Sequence, residues 1–212
     1  MKFILQATAA AVLAAAVGSA AQAQDNVFKA GAIRYTTDSK TNGIQGIGVP
    51  AGADAKTGDA TTLLLTYERL FTPNIGVELV IGAPPKIKAR ATGTVAFLGE
   101  IMSARVIAPT LIANYHFGSD GDRLRPYLGA GINYTKFSSI RSSLASDVKM
   151  SDSTGLVVQA GIDYAFDKNW GLFASVARID TKSKLVAAGS TVLTTKIDFK
   201  PVTYAAGLSY RF

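Results

Sequence analysis

Not one of the 212 residues is cysteine. Disulfides, thiolate metal sites and cysteine nucleophiles are therefore excluded. Histidine occurs once, at position 116. A hydrolytic site needs a histidine with a nucleophile and an orienting group beside it. His116 falls next to a tight turn and reads as a satisfied interfacial histidine. Calcium chemistry has no support either: Asp120-Gly121-Asp122 is too short for a binding loop and lacks a distal glutamate, so it reads as a turn. The spacing in Gly43-Ile44-Gln45-Gly46-Ile47-Gly48 is wrong for a phosphate loop, and no helix pattern follows it. Net charge is +7, but the basic residues are scattered singly along the chain. Nucleic-acid binding requires a clustered stripe, so the excess is assigned to anionic lipid headgroups. Long apolar runs are missing after residue 17, and with them any membrane-spanning helix.

The one apolar run, 3–17, follows Lys2 and precedes Ala21-Gln22-Ala23. A basic start, an alanine-rich centre and an A-x-A site make a secretory signal peptide. Cleavage is expected after Ala23, with Gln24 as the new N-terminus. A membrane anchor is the alternative, but the run falls short of about 20 residues and Gln6 and Thr8 interrupt it. Residues 1–23 are then a leader and 24–212 one domain. Hydrophobic residues make up 48% of the chain. An exported, apolar chain without spanning helices can still cross a membrane as a closed β-barrel, which pairs every backbone group without an edge.

The last eleven residues show the pattern directly. Val202, Tyr204, Ala206, Leu208, Tyr210 and Phe212 share one parity; Thr203, Ala205, Gly207, Ser209 and Arg211 share the other. Period-two alternation sends these sets to opposite faces of a strand. The wide apolar face suits lipid and the small, polar face a barrel interior. Tyr210 and the final Phe212 resemble the C-terminal address read by barrel-assembly machinery. Eight such stretches occur, at 26–36, 61–71, 75–82, 106–117, 124–137, 155–166, 169–180 and 201–212. Long connections (37–60, 83–105, 138–154, 181–200) alternate with short ones (72–74, 118–123, 167–168). That order predicts an all-β, eight-stranded antiparallel up-and-down transmembrane barrel, with long loops outside and both termini periplasmic. A soluble barrel is the alternative and would need large apolar residues facing inward. In the seventh stretch the even set, Trp170 to Val176, is taken as outward, with a bulge expected because Phe173 and Ile179 compete.

Alternation also assigns the interior. Lys29, Glu68, Glu78, Asp163 and Arg211 face inward in the periplasmic half, and their mixed signs predict a paired ionic plug. Glu68 and Glu78 are expected to pair with Lys29 or Arg211. Ile33, Leu64, Val80, Ala108, Thr110 and Val157 line an apolar or small upper lumen. Pro109 cannot donate to the strand ladder and is expected to leave a lateral gap in the wall. The alternative is a narrow barrel filled by side chains.

Ala108-Pro109-Thr110-Leu111 through Asn114-Tyr115-His116-Phe117-Gly118 resembles a known P-T-L…Y-F-G signature. Pro126-Tyr127-Leu128-Gly129-Ala130-Gly131-Ile132-Asn133-Tyr134-Thr135 resembles the strand that follows it. Asp152-Ser153, Gln159 to Tyr164 and the Tyr210-Arg211-Phe212 ending come in the same order. Together they resemble the outer membrane protein W family. The resemblance implies an eight-stranded outer-membrane barrel associated with uptake of small hydrophobic molecules. The resulting expectation is a passive channel: apolar solutes enter the upper lumen, are stopped by the plug and leave laterally. The alternatives are a non-conducting surface barrel (receptor, adhesin or membrane-integrity protein) and a lipid enzyme, against which His116 argues. Expected partners are outer-membrane lipids and lipopolysaccharide, barrel-assembly machinery and small hydrophobic solutes, without nucleic acid. No cofactor is required.

Overall fold

The computed structural model describes residues 26–37, 40–41, 49–144, 147–188 and 192–212. The expected leader and its cleavage site at Ala21, Ala23 and Gln24 lie outside the described residues. The strands are β1 (Asn26–Thr36), β2 (Lys40–Thr41), β3 (Ala53–Thr57), β4 (Ala60–Leu70), β5 (Ile75–Gly82), β6 (Lys86–Gly93), β7 (Glu100–Ile107), β8 (Thr110–His116), β9 (Leu124–Ser142), β10 (Asp147–Met150), β11 (Ser153–Ala165), β12 (Trp170–Ala188), β13 (Val192–Phe199) and β14 (Val202–Arg211). A 3-10 turn spans Ala96–Leu98.

Eight of these strands, β1, β4, β5, β8, β9, β11, β12 and β14, pair antiparallel in that order, and β14 returns to β1. The barrel is closed. At the seam Asn26 and Phe212 exchange backbone hydrogen bonds at 3.2 and 3.0 Å. Large apolar side chains cover the outside: Leu63 and Leu156 are each 70% exposed. The interior-facing set is charged or polar in the lower half and apolar above it, but the broad band of exposed large apolar side chains on the outside is what a soluble barrel lacks and matches a wall bathed in lipid. Gly129 and Gly161 belong to the inner set. A methyl at 161 would collide with the Tyr127 ring, and one at 129 with Asn114 and Ile112. Two glycines thus leave room for bulkier neighbours on facing strands.

The short turns close in the expected places. Thr72 Oγ1 accepts the Ile75 amide at 2.9 Å, and Asp167 Oδ1 accepts the amides of Asn169 and Trp170, both at 2.8 Å. Around this end aromatic rings meet, Trp170 with Tyr210 at 4.9 Å and Phe212 with Phe28 at 5.8 Å.

Three expectations are corrected. The stretch 106–117 is not one strand: β7 and β8 are separated at Ala108-Pro109. The long connections are largely paired: β9 and β12, each 19 residues, continue past the barrel, with β7, β6 and β3 stacking on β9 and β13 and β10 on β12. The seventh barrel strand carries no bulge where it faces β11, since its register is continuous from Gly171 to Asp180. Its even set does face outward; Phe173, 4% exposed, and Ile179, 8%, are instead interior filling.

Candidate functional site

Charged and amide side chains from five strands meet in the lower half of the interior. β1 supplies Lys29, β4 Glu68, β5 Glu78, β8 Asn114 and His116, and β11 Gln159 and Asp163. The register places Glu68 directly opposite Glu78. Two neighbouring carboxylates repel unless something positive or hydrogen-bonding lies between them. The Asn114 amide does: Nδ2 donates to Glu68 Oε1 and to Glu78 Oε2, both at 3.0 Å. Lys29 Nζ lies 3.5 Å from Glu68 Oε2 and 3.2 Å from Asp163 Oδ1. It also sits 4.5 Å from the centre of the Tyr127 ring, a cation–π distance. His116 Nε2 is 2.8 Å from Glu68 Oε1, and Nδ1 is 3.6 Å from Asp163 Oδ2. Gln159 Nε2 donates to Glu78 Oε2 and Asn114 Oδ1, each at 2.9 Å. Lys29, Glu68 and Asn114 are almost completely buried. The result is a cross-braced floor.

This geometry changes three expected roles. Glu78 is held by two neutral amides and not by Lys29 or Arg211. Arg211 stands below the floor, where its guanidinium meets Asp120 Oδ1 at 2.7 Å, beside Arg125 at 3.3 Å. The reason is register: Arg211 pairs with Val27, at the very end of β1. His116 is no interfacial residue. It is 4% exposed and belongs to the floor. Asn114, His116, Tyr127 and Gln159 were missed as floor residues because uncharged or single residues carry no charge signal, although all have inward parity. Below the floor a vestibule of about 640 Å³ opens, bordered by Asp120, Arg125, Asp163 and Arg211.

Above the floor, Ile33, Leu64, Val80, Ala108, Thr110 and Val157 all border one chamber. Its free volume is only about 50 Å³, small beside the roughly 300–1,000 Å³ of ordinary ligand pockets. Phe173, Ile112 and Ile179 fill the rest, packing on Ile33, Leu64 and Val157 in two clusters. A second space of about 60 Å³ continues toward the mouth and touches Gly82, Ala83, Pro85 and Ala108.

Those four residues mark a slot in the wall. Pairing of β5 with β8 ends at Val80–Thr110, and pairing of β6 with β7 begins at Lys86–Arg105. Between them the one bridging bond is the Val106 amide to the Pro85 carbonyl at 3.1 Å, among the described residues. The Ala108 carbonyl accepts instead from Thr110 Oγ1 at 3.3 Å and Asn133 Nδ2 at 3.4 Å. Pro109 needs a correction here. Its carbonyl accepts the Tyr134 amide at 3.0 Å, so its nitrogen faces β9, because both main-chain groups of a residue point to one neighbour in an antiparallel ladder. On that side the register is unbroken from Ile107–Lys136 to Thr110–Asn133. The missing donor therefore does not open the wall; the slot lies on the other edge, where β5 runs out into Ala83-Pro84-Pro85. Tyr210 and Phe212 lie at the opposite end, in the seam and the aromatic ring.

A family profile described as the OmpW family matches residues 22–212. The chain is 34% identical over 161 residues to outer membrane protein W of Vibrio cholerae, covering 72% of this chain and 74% of that one. It is 27% identical over 168 residues to outer membrane protein AlkL of Ectopseudomonas oleovorans, covering 79% and 73%. It is 26% identical over 142 residues to the dibenzothiophene metabolism operon protein PahQ of Pseudomonas aeruginosa, covering 66% and 65%. In structure it is similar to the outer membrane protein OprG of Pseudomonas aeruginosa, with a TM-score of 0.83 at 26% identity over 90% of this chain and 97% of that one.

Proposed function

Because the chain belongs to the OmpW family of outer-membrane barrels, we propose that it admits small hydrophobic molecules passively at the outer mouth and releases them sideways into the membrane. The observation that carries this is one of position. A slot with unpaired edges opens at the level of the apolar chamber, directly above a floor of buried, cross-braced charges. Magnitudes favour the slot. Burying an apolar solute yields about 0.8 kcal/mol per methylene, in the chamber or in lipid alike. Passing the floor would break buried ion pairs at about 3–5 kcal/mol each. Passing the slot displaces little, since its rim is Gly82, Ala83, Pro85 and Ala108. That PahQ is named for dibenzothiophene metabolism, the handling of an apolar aromatic compound, supports the solute class. No step requires catalysis or a cofactor.

The chamber is nearly full, so a solute must turn Phe173 aside. In proteoliposomes loaded with a binding partner for a hydrophobic fluorophore, Phe173→Ala should raise the uptake rate several-fold. Ala108→Phe, which fills the slot rim, should lower it by a similar factor with ion conductance unchanged. Normal uptake by Ala108→Phe, together with loss of uptake on altering Gln159 in the floor, would mean passage straight through. The tight filling equally favours a second reading, a non-conducting surface barrel; uptake by the parent protein no faster than by empty vesicles would select it.

A further inference from the structure

Basic residues scattered along the chain gather on one face of the sheet above the barrel. The registers of β3, β6, β7 and β9 place Lys56 opposite Arg90, Arg90 opposite Glu100, Lys86 opposite Arg105, and Ser103 between Lys88 and Arg141. Lys136 stands opposite Ile107, one step lower on the same face. Seven cations thus share this face with two carboxylates, Glu100 and the half-buried Asp54, and the seven cations and Glu100 are exposed. On the face Lys88 and Glu100 form an ion pair at 2.8 Å. That hydrogen bond, with Lys86 and Arg90 nearby, holds the Glu100 carboxyl below its ordinary range. The positions form a grid of roughly 4.8 Å between strands and 6.8 Å along them.

Like charges directly opposite one another destabilise a sheet. This chain sets two such pairs side by side, Lys56–Arg90 and Lys86–Arg105, where a merely solvated surface would intersperse the signs. Below, the face runs straight into the lipid-facing band through Ile107, Leu111 and Ile132, which are 39%, 46% and 54% exposed. The cations therefore stand at the height of the outer leaflet's head groups. We infer that this face binds the phosphorylated head group of an outer-leaflet glycolipid, whose phosphates sit between the opposed cations while its acyl chains lie on the apolar band beneath. The site is distinct from the slot and does not depend on transport.

The test uses the folded protein in phosphatidylcholine nanodiscs at low and moderate salt. Bisphosphorylated lipid A should bind at least about tenfold more tightly than dephosphorylated lipid A, and 0.3 M salt should weaken it. It should also raise the melting temperature. Lys86→Gln with Arg105→Gln should do two opposite things: raise the melting temperature in lipid-A-free discs, by relieving repulsion, and abolish the extra stabilisation by lipid A. Lys56→Gln with Arg90→Gln should act alike, and Arg123→Gln with Lys168→Gln at the turn end should change neither. Equal binding of dephosphorylated lipid A, equal protection by inorganic phosphate alone, or unaltered lipid A binding by both double variants would overturn the inference.

Discussion

Lys29 is the residue on which the interior turns. It is buried between Glu68 and Asp163 and no other lysine or arginine reaches them among the described residues. Removing one partner of a buried pair is far worse than never having built it, because the remaining charge is stranded. Lys29→Met should cost about 3–5 kcal/mol, visible as a lower urea midpoint for the detergent-refolded barrel. Arg211, whose side chain is 21% exposed toward the vestibule, should tolerate Gln at under about 1 kcal/mol, as partly exposed pairs do. Equal losses for the two variants would mean that the floor is no tighter than the vestibule.

Among elements, the turns at the short-loop end are set by single side chains, and one of them is sensitive to acid. The Asp167 carboxylate accepts two backbone amides, those of Trp170 and Asn169, and these hold its pKa below the ordinary aspartate value. A depressed folded-state pKa means that the contribution is fully present above the unfolded value. It is lost as pH falls through the folded one, below the usual carboxylate range. A carbon-13 titration should show Asp167 protonating later than free aspartate on acidification, with the Trp170 amide shifting in step. Asp167→Asn should remove that acid-side step; an ordinary titration midpoint would show that the turn is held by backbone alone.

For the molecule as a whole, closure is the decisive event. Phe212 contributes two backbone bonds across the β1–β14 seam and a ring stacked on Phe28. Each hydrogen bond is worth roughly 0.5–1.5 kcal/mol net. Deleting Phe212 should therefore weaken the refolded barrel only modestly in detergent. A much larger fall in heat-modifiable folded protein in cells would assign the residue to assembly rather than stability. Comparable losses in both settings would leave it a purely structural part.

Much of the fold could be read from parity alone. A period of two needs no tertiary information: Leu63, Leu156 and Tyr204 had to face one way and Glu68, Gln159 and Ala205 the other, and the alternation of long and short connections ordered eight strands into a barrel. Parity also gathered Lys29, Glu68 and Asp163 inside. It could not say which of them touch, because contact depends on register between strands distant in sequence. Register put Glu78 beside Glu68 and so left it to amide donors, sent Arg211 to the rim, and drew His116 into the floor. The slot was misplaced for the same reason: proline's missing donor is visible in sequence, but the neighbour that donor would have faced is not. Charge shows the division most plainly. Seven cations that lie singly along residues 56–141 become one face only when four strands align, since cross-strand distance is fixed by pairing and not by separation along the chain.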